Sequence, residues 1–79
     1  MLTQYLDAAM RHAEYEQLSD DTWYGHIAGF PGLWASEPTR EETTSELRSA
    51  LEDWLLVTLR SGERAPAVDG FDLNVVRVA

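Results

Sequence analysis

The chain has no cysteine and no lysine. Without cysteine there can be no disulfide framework, no thiolate metal site and no cysteine nucleophile. The missing lysine leaves six arginines to carry all the permanent positive charge, against fourteen acids. We read the all-arginine usage as a compositional bias without functional meaning. The resulting net charge of −8 argues against nucleic acid, whose phosphates need a positive surface. It argues equally against an anionic membrane. A basic protein partner suits it better, because complementary charge speeds encounter and suppresses wrong partners. Long apolar runs are missing too, and nothing approaches the roughly 18–20 residues of a membrane span. The opening Met1-Leu2-Thr3-Gln4-Tyr5-Leu6-Asp7 lacks the basic region of a signal peptide. A cytoplasmic location is expected.

What remains is ordinary globular material. Apolar residues make up 44%, with three Trp, three Tyr and two Phe to bury, so a folded core is expected rather than disorder. At 79 residues the chain has room for one core, and a single domain spanning residues 1–79 is expected. Such a core is marginal without disulfides or a metal. Self-association is the remaining common way to add buried area, so a homodimer or higher oligomer is expected.

Leu2, Tyr5, Leu6, Ala9, Met10 and Ala13 recur at helical spacing, which predicts an amphipathic helix from Leu2 to Arg11. His12 to Leu18 alternates, with Ala13, Tyr15 and Gln17 on one face and His12, Glu14, Glu16 and Leu18 on the other. This is the first strand. Ser19-Asp20-Asp21-Thr22 is turn chemistry, and Trp23 to Ile27 is the second strand of a hairpin. In Gly29-Phe30-Pro31-Gly32, Pro31 presets the second position of a type II turn and Gly32 supplies positive φ at the third. Leu33 to Glu37 follows as the third strand, closed by Pro38.

Thr39-Arg40-Glu41-Glu42 is a capping box for a long helix from Thr39 to Ser61, with Gly62 as its stop. Leu47, Ala50, Leu51, Trp54, Leu55 and Thr58 form its main stripe. Leu56, Val57 and Leu59 widen the stripe near the end, as contact with both the sheet and a neighbouring subunit would require. A loop from Glu63 ends in an Asp69-Gly70 turn, and Phe71 to Val78 alternates as a fourth strand. The expected fold is α+β in two layers: an antiparallel meander with helices on one face, in the order α-β-β-β-α-β.

The run Tyr24-Gly25-His26-Ile27-Ala28-Gly29-Phe30-Pro31-Gly32-Leu33-Trp34-Ala35, the Thr39 cap and the Leu-rich helix containing Leu47 to Leu55 together resemble the HicB-like antitoxin family. Gly62-Glu63-Arg64-Ala65-Pro66 and the opening Leu2 to Leu6 fit a short subgroup of it. The resemblance covers roughly residues 2 to 74. It implies a partial ribonuclease H-like fold and an antitoxin that binds a small basic ribonuclease toxin and blocks its active site. Many members of that family carry a C-terminal DNA-binding domain. Nine residues follow Gly70, too few for one, so direct operator binding is not expected.

Chemistry is sparse. Glu14, Glu16, Asp20 and Asp21 are a candidate two-metal carboxylate set, and a solvated strand edge with an acidic turn is the ordinary reading. His12 and His26 are candidates to face each other as zinc ligands, against ordinary surface histidines. No nucleophile motif or phosphate-cradling loop is present. The expectation is a non-enzyme with no catalytic, cofactor or metal site. The candidate partner or oligomer interface is Tyr24, His26, Phe30, Trp34, Leu56 and Leu59, since aromatics anchor interfaces. Tyr24 and Trp34 are read equally as core. Trp54 is read as core. The acidic stripe Glu41, Glu42, Glu46, Glu52 and Asp53 is read as a solvated helix face that can also steer a basic partner. A sheet face or an exposed edge strand is the expected contact.

Overall fold

A computed structural model of the chain describes residues 2–73. Helix α1 (Leu2–Arg11) leads into strands β1 (Ala13–Gln17), β2 (Trp23–Ile27) and β3 (Trp34–Glu37), and helix α2 (Arg40–Arg60) follows. The strands form one antiparallel sheet in the order β1-β2-β3. Its register sets Tyr15 against Gly25 and Gly25 against Ala35. The α+β class and the order of these five elements are as the sequence patterning predicts.

Both connections within the sheet follow from turn chemistry. Asp20 Oδ1 accepts from the Thr22 backbone N–H at 3.1 Å and from its hydroxyl at 2.6 Å. These bonds hold the Asp20 carboxyl below its ordinary pKa, the hydroxyl bond foremost. Between β2 and β3, the Leu33 N–H reaches the Phe30 carbonyl at 3.1 Å. Pro31 and Gly32 occupy the centre, and Gly32 has φ +78°. This is the expected type II turn, in which the third position needs a residue free to adopt positive φ.

Helix α2 starts as the capping box predicts. The Thr39 hydroxyl accepts from the Glu42 N–H at 3.1 Å and donates to the Glu42 carboxylate at 3.0 Å. Such a cap contributes about 1 kcal/mol. The helix buries Thr43, Leu47, Leu51, Leu55 and Thr58, a four-residue recurrence that aims one stripe at the sheet. The buried Thr43 hydroxyl is satisfied by the Thr39 carbonyl at 2.8 Å. Helix and sheet lie close together at Gly25. A Cβ there would lie 3.1 Å from Thr43 Cγ2 and 3.1 Å from Tyr15 Cε1, so even a methyl group would require these neighbours to give way by a few tenths of an ångström.

The core combines Tyr5, Leu6, Ala8 and Ala9 of α1 with Ile27, Phe30, Leu33 and Ala35 of the sheet region and Leu47, Leu51 and Leu55 of α2. Ala65 and Val68, from the loop after α2, complete it. The Tyr5 hydroxyl donates to the Pro66 carbonyl. Burial pushes that hydroxyl's pKa up, and the Asp72 carboxylate adds to the shift. Among the described residues no buried side-chain polar atom lacks a partner.

Two expectations change here. The fourth strand is expected over Phe71 to Val78. Phe71 makes only an isolated bridge back to Val68, through a tight turn with Asp69 at φ 49° and Gly70 at φ 84°. Residues 74 to 78 of that expected strand lie outside the described residues. Phe30 is expected at an interface. It is instead buried, with its ring edge-on to Tyr5 at 6.5 Å and to Trp54 at 5.1 Å. The two consecutive turns around it swing the side chain inward, so Phe30 belongs to the core. Trp54 covers this site, and its indole N–H donates to the Pro31 carbonyl at 2.9 Å.

Candidate protein-interaction face

Strand alternation gives the sheet two faces. Ala13, Tyr15, Gly25, Ile27 and Ala35 point to the helices. Tyr15 is held there from two sides. Thr44 of α2 donates to its hydroxyl at 2.8 Å, and the Arg40 guanidinium sits 4.6 Å from its ring centre. Glu14, Glu16, Tyr24, His26, Trp34 and Ser36 therefore point the other way, and no described element covers them. Trp34 is 57% exposed. Tyr24, His26 and Ser36 are half-buried by each other and by the sheet, while Glu14 and Glu16 are exposed.

The open face has an aromatic centre. Tyr24 stacks on Trp34 with ring centroids 6.1 Å apart and planes 25° apart. It also lies 5.7 Å from the His26 ring, two residues along the same strand. The register explains the stack: Tyr24 pairs with Ser36 and His26 with Trp34, so Trp34 is the diagonal neighbour of Tyr24, within reach of a large ring. Beside the aromatics runs an acidic edge. Glu14 pairs with His26 and Glu16 with Tyr24 across β1 and β2, and the Glu14 carboxylate approaches the His26 ring to 4.0 Å. Half-exposed aromatics next to exposed carboxylates can take up cationic side chains, through ring faces and charge together.

Of the expected interface residues, Tyr24, His26 and Trp34 are thus brought together on one surface. Leu56 and Leu59 are exposed on α2, away from the sheet's open face. His12 and His26 do not share a site. The His12 ring lies 2.8 Å from Asp69, a partner 57 residues away that no local pattern could announce. Asp69 is also approached by Arg11 at 3.5 Å. Its carboxyl is held below its ordinary pKa, chiefly by the His12 hydrogen bond and further by the His12 and Arg11 charges.

The His12–Asp69 pair borders a cleft of about 330 Å³ whose walls include Glu14, Phe30 and Pro66. Among the described residues its lining holds no Ser, Thr, Cys or Lys. Of the candidate carboxylate set, Asp20 is engaged in its own turn. Among the described residues no three His, Asp or Glu side chains form a group that could hold a metal ion. No helix among them is long and apolar enough to cross a membrane.

A small antiparallel sheet backed by one long helix and one short one, with its other face left open by the described residues, defines the class of domain. Its membership can be stated more closely. A family described as UPF0150-like matches residues 4–66, and the chain belongs to that family. The crystal structure of TTHA0281 from Thermus thermophilus is similar at 39% sequence identity and a TM-score of 0.86. That match covers 96% of this chain and 95% of that one. No curated protein shows significant similarity to the chain.

Proposed function

We propose that this chain is a HicB-like, antitoxin-type interaction domain that binds and neutralises a small basic ribonuclease toxin in the cytoplasm, without catalysis. The observation that carries the reading is the sheet face that no described element covers. The Tyr24–Trp34 stack supplies apolar anchoring area, and Glu14 and Glu16 beside it supply charge opposite to that of a basic partner. The net charge of −8 extends the attraction beyond the contact itself. Membership of the UPF0150-like family supports the same reading, as do the HicB-like motifs. The charge also disfavours direct binding to nucleic acid or an anionic membrane. A second reading, a stand-alone homo-oligomer of the same fold with no toxin, draws support from the exposed Leu2, Leu56 and Leu59.

The test is to tag the protein, express it in its native host and identify what co-purifies. The expected result is a small basic protein in stoichiometric amount. Its ribonuclease activity should be silent in the complex and return when the complex is dissociated. Replacing both Tyr24 and Trp34 with Ala should release it while the domain stays folded. Recovery of self-associated protein alone, under several growth conditions, would overturn the toxin-binding reading in favour of the stand-alone oligomer.

A further inference from the structure

Helix α2 carries a second exposed surface that the sheet face does not use. Leu56 is 51% exposed and Leu59 41%, and Leu2 of α1, 54% exposed, lies beside them. Together with Leu55 they border a shallow cleft of about 350 Å³, edged by Glu52 and Asp53. A 79-residue core gains little from leucines left in water, and burying one fully is worth about 1.5–3 kcal/mol.

The charges around this patch are arranged by sign along the helix. Glu52 and Asp53 lie one turn before Leu56, and Arg60 lies one turn after it. Among the described residues none of these three charges has an ion-pair partner. A second copy packed parallel would set acids against acids and Arg60 against the partner's Arg60. An antiparallel copy related by a two-fold axis near Leu56 sets the acidic end of each helix against Arg60 of the other. It also lets each Leu56 enter the other copy's cleft. A two-fold contact needs this kind of self-complementary surface.

We propose that the leucine patch of α2 is a homodimer interface in which two α2 helices pack antiparallel. Leu56, Leu59 and Leu2 form its centre, and Glu52 and Asp53 of each copy pair with the partner's Arg60. This surface is separate from the open sheet face, so two sheet faces remain free in the dimer.

Sedimentation equilibrium on the full chain tests the arrangement. The wild type should be dimeric at roughly 100 µM, with micromolar or tighter affinity. Leu56→Glu should be monomeric with an unchanged far-ultraviolet spectrum, and Trp34→Ala should leave the dimer intact. Arg60→Glu should weaken self-association by about tenfold, and the double variant Glu52→Arg, Asp53→Arg should do the same. Mixing these two variants should restore dimers, now of mixed composition. A monomeric wild type would overturn the proposal, as would a dimer that survives Leu56→Glu. An Arg60→Glu variant that dimerises as well as the wild type would overturn the antiparallel pairing. None of these results bears on toxin binding, which is read through Tyr24 and Trp34.

Discussion

The two faces of the sheet are built from the same three strands, yet they have opposite chemistry. The helix side packs small and aliphatic residues around Tyr15, with Gly25 and Ala35 beneath α2 and Ile27 and Leu33 sealed in the core. The open side presents large aromatics and acids. A sheet with one buried face needs only alternation to fold. The large residues on the open side go beyond that need. Stability is concentrated in the first set of residues and recognition in the second, and substitutions can separate the two.

The largest expected effect is on the covered side. Leu51 is fully buried, and Leu51→Ala should cost about 2–5 kcal/mol in urea unfolding through the cavity it leaves. Gly25→Ala adds one methyl group where two neighbours already sit at 3.1 Å. It should cost about 1–3 kcal/mol by overpacking, and a silent result would mean that α2 can shift on the sheet. Thr39→Ala removes the cap of the helix that covers this face and should cost about 1 kcal/mol. On the open side, Trp34→Ala should change stability by less than about 1 kcal/mol while weakening partner binding about tenfold or more. A large loss of stability instead would show that the two faces are not separable.

The smallest expected effect lies outside both faces. The carboxyl of Asp69 has a lowered pKa in the folded state, chiefly through His12. Its contribution is therefore fully present above the ordinary carboxylate value and is lost as pH falls through the depressed one. Melting temperature measured in that acidic range should fall less steeply for Asp69→Asn than for the wild type.

Most of the fold is legible in the sequence because it is locally encoded. The bounds of α1 and β2 match the sequence reading, and α2 ends within one residue of it on each side. Thr39 caps α2 as its spacing predicts. Alternation also places Tyr24 and Trp34 together, though it cannot say which face the helices take. What escapes is long-range or irregular. Phe30 reads as a turn residue, and only the tertiary position of Tyr5 and Trp54 makes it core. Ala65 and Val68 are buried in a loop that has no periodicity to announce them. The bridge from Phe71 to Val68 forms because the Asp69-Gly70 turn folds the chain back on itself at once, a local contact that alternation does not announce. Leu56 and Leu59 widen the apolar stripe of α2 in the sequence, and they are exposed in the fold.

The first helix has its partners late in the chain. Asp7 pairs with Arg48, Tyr5 bonds to Pro66 and His12 meets Asp69. During synthesis the N-terminal segment leaves the ribosome long before those residues exist. A ten-residue helix is too short to hold its shape alone, so it must wait until the loop after α2 has emerged. The sheet and α2 can associate earlier, since their contacts lie closer together in sequence. Locking of the domain thus waits for Pro66 and Asp69 to emerge, after the strands that carry Tyr24 and Trp34.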